Sequence, residues 1–231
     1  MTIPENILRI KEKIHSTCIK SGRKEQDITI IGVTKTVTPA FIIESIKAGL
    51  YDIGESYVQE AVEKYDQLKL HLPEDEFRKI KWHFIGSLQT NKIKYLNGKF
   101  RNIHSIYKLK QVEELEKKIK HPVSIFLELN LANEVSKTGS NTDEIFHVCE
   151  KALQISNIEL KGLMCIPPYS DNKEDSRKYF IKLRQTMLKL NKEFGTKMEC
   201  LSMGMSNDFD IAIEEGATHV RIGTAIYGER G

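Results

Sequence analysis

Ile28-Thr-Ile-Ile-Gly-Val-Thr-Lys35-Thr-Val-Thr38-Pro39-Ala-Phe-Ile-Ile-Glu-Ser-Ile-Lys-Ala48-Gly49-Leu-Tyr51-Asp-Ile-Gly54 reads as one strand–helix–strand unit. Ile28–Val33 is β-branched and almost wholly apolar, the composition of a strand covered on both faces. Thr38-Pro39 marks a helix start, with threonine as N-cap and proline at the first helical position. Ala40–Ala48 follows with helical apolar spacing, Gly49 stops it, and Tyr51–Gly54 begins a second strand. Strands joined by such a crossover run parallel, because the helix returns the chain to the end of the sheet where it started.

The unit recurs. Further strand-like runs lie at Trp82–Gly86, Asn102–Ile106, Val123–Asn130, Leu160–Cys165, Met198–Ser202 and His219–Gly223, which makes eight in all. Successive runs start 20 to 38 residues apart, room for a helix between each pair. Asn141-Thr-Asp-Glu opens a helix over Ile145–Ile155, and Ser206-Asn-Asp opens another over Phe209–Glu215 that Gly216 ends. Eight units predict an α/β fold, a single (β/α)8 TIM barrel, with an open α/β sheet as the alternative. An amphipathic helix over about Ile3–Ser21 precedes the first strand. Only eight residues follow the last strand, so this extra N-terminal helix is expected to stand in for the eighth one. No Gly/Ser/Pro-rich linker divides the chain, and residues 1–231 are read as one domain.

Composition narrows the function classes. A length of 231 residues suits one such barrel, typically about 250 residues long. Hydrophobic content of 40% against 29% charged excludes disordered and fibrous classes. A net charge of +3 gives no ground for nucleic-acid or anionic-membrane binding. Glu113–Lys120, Arg78–Lys81 and Lys92–Lys94 read as solvated helix faces. The N-terminus carries no export signal, and no apolar run is long enough to span a membrane. Cys18, Cys149, Cys165 and Cys200 form no CxxC pair, which argues against a metal site and for a reducing cytoplasmic setting.

In barrels the chemistry sits where strands end at their C-terminal face. The first strand ends in Thr34-Lys35-Thr36. A lysine at a buried strand end loses solvation of its charge, which eases deprotonation to the amine that condenses with an aldehyde. The alternative is a lysine snorkelling at the rim. Ser202-Met-Gly-Met-Ser206 follows the seventh strand as a small-residue loop into a helix, and Arg221-Ile-Gly223-Thr224 ends the eighth. The loops after these two strands are where barrels bind phosphate: Gly204 and Gly223 permit close backbone approach, while Ser206 and Thr224 bring hydroxyls. Asp208 and Asp210, in the next helix's first turn, would oppose an anion there. Two ordinary glycine turns are the other reading. Arg221 alternates with Val220 and Ile222, so it is expected to point into the barrel mouth, where it needs a salt-bridge partner, a phosphate or a ring nitrogen.

His83 and His219 suit satisfied core histidines better than general bases. Glu55 and Glu128 read as mouth residues or caps. No Ser-His-Asp order, HExxH or P-loop is present.

With these features the chain resembles the YggS/PROSC family of pyridoxal 5′-phosphate (PLP) homeostasis proteins, single barrels similar to the N-terminal domain of alanine racemase. The motifs span nearly the whole chain: Ile31–Thr36, Ile53–Glu60, Trp82–Lys92, Leu129–Gly139, Gly162–Cys165, and Leu201–Ser206 through Arg221–Thr224. The resemblance implies that Lys35 carries PLP as an internal aldimine, that Ser206, Gly223 and Thr224 hold its phosphate, and that Arg221 faces the pyridine nitrogen. An arginine there disfavours ring protonation and weakens the ring as an electron sink. Where the family usually reads Gly-Glu-Asn-Tyr, this chain has Gly54-Glu55-Ser56-Tyr57, which puts a shorter hydroxyl at Ser56 in place of an amide.

The implied function is buffering or delivery of PLP in the cytoplasm, with no catalytic residue and no metal. Partners implied are PLP and PLP-dependent apoenzymes, with a monomer or weak dimer as the assembly. Two alternatives remain. An amino-acid racemase of this barrel type needs a tyrosine from a second domain, for which the chain has no residues left; Tyr57 or Tyr169 is the substitute the barrel could lend. A Schiff-base aldolase would use the same lysine and phosphate loops.

Overall fold

Eight parallel strands close on themselves in a computed structural model that describes residues 1–132, 134 and 138–229. The strands are β1 (Thr29–Val33), β2 (Asp52–Glu55), β3 (Lys81–Phe84), β4 (Asn102–Ile106), β5 (Val123–Leu129), β6 (Ile158–Cys165), β7 (Cys200–Met205) and β8 (His219–Ile222). They follow in chain order around the barrel, and β1 shuts against β8 with Ile31 opposite Arg221. The expected barrel is therefore the observed one, and the open sheet is excluded. Asn133 and Val135–Lys137 of the Leu129–Gly139 motif lie outside the described residues.

Helices α1 (Ile3–Ser21), α2 (Pro39–Lys47), α3 (Val58–His71), α4 (Glu74–Lys79), α5 (Leu109–Lys118), α6 (Glu144–Leu153), α7 (Arg177–Phe194), α8 (Phe209–Glu214) and α9 (Thr224–Tyr227) form the outer layer. A 3-10 segment, Thr90–Leu96, joins β3 to β4. The first helix has the predicted limits because both ends are capped. Thr2 and Glu5 make a reciprocal capping box, and Gly22 ends the helix at φ 67°. Its buried stripe is Ile3, Ile7, Ile10, Ile14 and Cys18, each three or four residues from the last. That stripe packs on α8, α9 and α2. Asn6 donates to the Ile226 carbonyl at 2.9 Å, and Lys13 pairs with Asp210 at 3.0 Å. These contacts seat α1 between α8 and α2 beside the single-turn α9, the eighth helical position its sequence suggests.

The seventh strand is where the fold departs from the reading of the sequence. Met203–Met205 is not a loop but the end of β7, while the helix begins at Phe209 as read. The register against β8 slips between Ser202 and Met205, a bulge made at Gly204 with φ 90°. A Cβ on Gly204 would lie 2.5 Å from the Ala212 side chain. Close approach at this glycine thus seats α8 against the strand; it does not admit a ligand.

All four cysteines are free, and burial pushes the Cys149 and Cys165 thiols up to about 12, which leaves them inert. Among the described residues no helix is long and apolar enough to cross a membrane, and no group of three or more His, Cys, Asp or Glu side chains is placed to hold a metal.

Candidate functional site

A cavity of about 310 Å³ opens at the C-terminal face of the barrel, and all six residues singled out in the sequence border it: Lys35, Ser56, Ser206, Arg221, Gly223 and Thr224. Sequence reasoning missed Asn207 beside Ser206 and the apolar walls Val33, Ile85, Ile166 and Met205. Ile85 and Ile166 each stand one residue beyond a strand end, the same signal that singles out Lys35. A larger groove of about 420 Å³ lies at the opposite end of the barrel. Three of the four cations bordering it, Arg78, Lys81 and Lys99, pair with Glu74, Asp52 and Asp66, and none of the six residues singled out in the sequence borders it.

Lys35 is half-buried rather than buried, because the strand turns outward one residue past the enclosed Thr34. Thr36, at φ 61°, is the one non-glycine among the described residues in the left-handed region. Such a conformation stores about 1–3 kcal/mol and needs outside support. The support comes from α3. The Thr36 amide donates to Glu60 Oε1, and Lys64 Nζ donates to the Thr34 carbonyl, to Glu60 at 2.6 Å and to Glu55 at 3.0 Å. Glu55 is therefore neither a mouth residue nor a cap. It lies fully buried behind β2, where burial raises its carboxyl above the usual range against the pull of Lys64 and Thr34.

Across the mouth, the two loops beyond β7 and β8 are stitched together through one hydroxyl. Ser206 Oγ accepts from the amides of Gly223 and Ala225, each at 3.3 Å, longer than the usual 2.9–3.0 Å or so for this bond. Two backbone donors and the hydroxyls of Ser206 and Thr224 thus converge where an anion can take them up. The objection raised by the neighbouring acids weakens at Asp210, whose charge is paired. Asp208 accepts from the Met205 amide at 2.7 Å, while Asp210 is paired with Lys13 and with Lys173 at 2.5 Å.

Arg221 points inward as the alternation predicts and is 4% exposed. Its Nη1 donates to Ser202 Oγ at 2.8 Å and its Nη2 to the Cys165 carbonyl at 2.9 Å. Among the described residues no carboxylate lies within ion-pair distance, so the structural salt bridge is not what holds it. Burial pulls the guanidinium below its ordinary value, opposed by Cys165, Asp208 and Glu128. A buried cation bound only to neutral acceptors keeps its charge available to a ligand.

His83 and His219 are satisfied core histidines: His83 bonds His104 and Asp52, and His219 bonds Thr218. The sequence reading overlooked His104, which stacks on Phe126 with centroids 4.0 Å apart and touches Ser202. Its inward parity in β4 was the available signal. Glu128 is buried with one oxygen on Thr138 at 2.6 Å and the other without a partner among the described residues, and burial raises its carboxyl. Tyr57 and Tyr169 are 58% and 86% exposed, and neither borders the cavity.

Residues 20–231 match the family described as alanine racemase, N-terminal domain. The chain is 42% identical over 233 residues to the pyridoxal phosphate homeostasis protein of Aquifex aeolicus, covering 100% of this chain and 99% of that one. A protein of unknown function from Bifidobacterium adolescentis superposes with a TM-score of 0.88 at 30% identity, over 97% of this chain and 94% of that one. PipY of Synechococcus elongatus, solved with PLP bound, superposes with a TM-score of 0.84 at 26% identity, over 98% and 100%.

Proposed function

The chain belongs to the alanine racemase N-terminal-domain family, among its pyridoxal phosphate homeostasis proteins, and on that premise we propose that it binds PLP at the mouth cavity and buffers or delivers it. The observation that carries this reading is the convergence of three kinds of group on one cavity. An amine, Lys35, stands at one edge; a cation without a carboxylate, Arg221, forms the floor; and amide and hydroxyl donors gather around Ser206. A cavity of about 310 Å³ is of the size expected for a small single-ring ligand.

Lys35 would hold the cofactor's aldehyde carbon. Ser206, Gly223 and Thr224 would take its phosphate, and Arg221 would face the ring nitrogen, with Ser56 at the ring's edge. When bound, PLP supplies an electrophilic carbon and a ring that accepts electrons. A guanidinium only donates, so it holds the ring nitrogen's lone pair without giving up a proton, and the ring stays a weak electron sink. Among the described residues no tyrosine borders the cavity to serve as the second acid–base group a racemase needs, which supports a holding role over catalysis. The reading extends to residues 1–231 acting as one domain, to a monomer or weak dimer in the cytoplasm, and to PLP-dependent apoenzymes as recipients.

Incubation with PLP should give a protein that absorbs visible light, and borohydride should fix the added mass on the peptide carrying Lys35. Unchanged colour in Lys35→Ala would overturn the lysine assignment. Exchange of an amino acid's α-hydrogen with solvent, lost in Lys35→Ala, would replace the holding role with an enzymatic one.

A further inference from the structure

Barrel interiors of this type are normally packed with branched aliphatic side chains. Here five polar side chains from five strands form a continuous column instead. Arg221 Nη1 donates to Ser202 Oγ at 2.8 Å, and Ser202 Oγ lies 2.9 Å from His104 Nδ1. His104 Nε2 lies 2.9 Å from His83 Nδ1, and His83 Nε2 lies 3.0 Å from Asp52 Oδ1. Ser202, His104, His83 and Arg221 are all buried, whereas the Asp52 side chain keeps 18% exposure at the first residue of β2. The column therefore runs from the floor of the cavity to the opposite end of the barrel.

We propose that Asp52, His83, His104 and Ser202 are positioning residues for Arg221, linked so that every proton in the column points from the guanidinium toward the Asp52 carboxylate. The proposal deepens the PLP reading and rests on it for its effect on the ligand.

The direction follows link by link. A carboxylate only accepts, so His83 carries its proton on Nε2. In the proposed arrangement His83 carries that proton alone and accepts at Nδ1, so His104 donates from its own Nε2. That leaves His104 Nδ1 as an acceptor, which claims the single hydroxyl proton of Ser202. The lone pairs of Ser202 are thereby turned toward Arg221, a group that can only donate. Aligned bonds of this kind polarise one another, so the far end of the column bears on the near one. Burial, with His83, His219 and Arg221 nearby, holds His104 well below the ordinary histidine range, consistent with a neutral ring. The other charged or titratable groups facing the column are Lys81, 3.8 Å from Asp52, with Glu128, Cys165 and Asp208 around Arg221.

The test needs two readouts. In the protein without added PLP, nitrogen NMR of labelled histidine and arginine should find His104 protonated on Nε2 and not on Nδ1. Asp52→Ala should change the His104 ring signals and the Arg221 side-chain signals. With PLP added, Asp52→Ala should shift the absorption maximum although it lies across the barrel. Ser202→Ala should weaken PLP binding about ten- to a hundredfold, the loss expected for one hydrogen bond to a charged group. A His104 proton on Nδ1, or Arg221 signals unmoved in Asp52→Ala, would overturn the column. Should wild type take up no PLP, the ligand reading fails while the histidine signals still decide the proposal.

Discussion

Lys64 Nζ lies 3.0 Å from Glu55 Oε1, with the lysine side chain 7% exposed and the glutamate fully enclosed. The same amine reaches Glu60 and the Thr34 carbonyl, and Glu60 in turn holds the amide of Thr36. A buried ion pair behind the sheet therefore sets the backbone on both sides of Lys35. The glutamates of the Ile53–Glu60 motif act there, outside the cavity.

Lys64→Met should be strongly destabilising, by about 3–5 kcal/mol, because it strands the buried Glu55 carboxylate. Lys64→Met with Glu55→Gln should recover part of that loss. Urea titrations of the single and double variants check both, and a single variant as stable as wild type would show that the pair holds nothing.

Gly86 faces the backbone of Ser56, and a Cβ there would stand 2.1 Å from the Ser56 carbonyl oxygen. Backbone cannot yield as a flexible side chain does. Gly86→Ala should cost about 1–3 kcal/mol and displace Ser56 from the cavity edge. Thermal unfolding measures the first effect and PLP titration the second.

Burial, reinforced by His83 and opposed by Asp52, depresses His219 to about 3. A histidine with a lowered folded value binds its proton first in the unfolded chain. Its stabilising contribution is thus present above about pH 6.5 and is lost as pH falls toward 3, at up to about 1.4 kcal/mol per pH unit. The stability gap between wild type and His219→Gln should shift in that window, favouring the variant as pH falls. Parallel stability curves would refute it.

Glu128 has its carboxyl raised by burial, opposed by Thr138 and Arg221. For an acid with a raised folded value the native state holds the proton longer than the unfolded chain. Stability therefore declines as pH climbs from the ordinary glutamate value through the raised one. Relative to Glu128→Gln, wild type should lose stability across that interval and stay level below it, as urea midpoints at a series of pH values would record.

Much of the site was legible because barrels tie position along a strand to position in space. Lys35, Arg221 and Gly223 stand at strand ends, and alternation alone turned Arg221 inward between Val220 and Ile222. Ser206 and Thr224 followed from the general habit of barrels of binding phosphate in the last two loops, and both border the cavity. The same rule, carried through, would have found Ile85, Ile166 and His104. The β7 end was misread because Ser-Met-Gly-Met looks like a turn by composition, whereas the bulge at Gly204 extends the strand by three residues. Glu55 was misread because burial behind a strand depends on a partner, Lys64, nine residues away on another element.

The sequence by itself determined the repeated strand–helix order, the capped leading helix and which residues reach the mouth. These depend on local propensity and on periodicity, both of which act within a few residues of chain. Only the tertiary structure decided which polar groups meet. The column from Asp52 to Arg221 draws on five strands, and its last link joins residues 19 apart in sequence while another joins residues 98 apart. No local pattern encodes such contacts, because they exist only once the sheet has closed and removed the water those groups would otherwise bind.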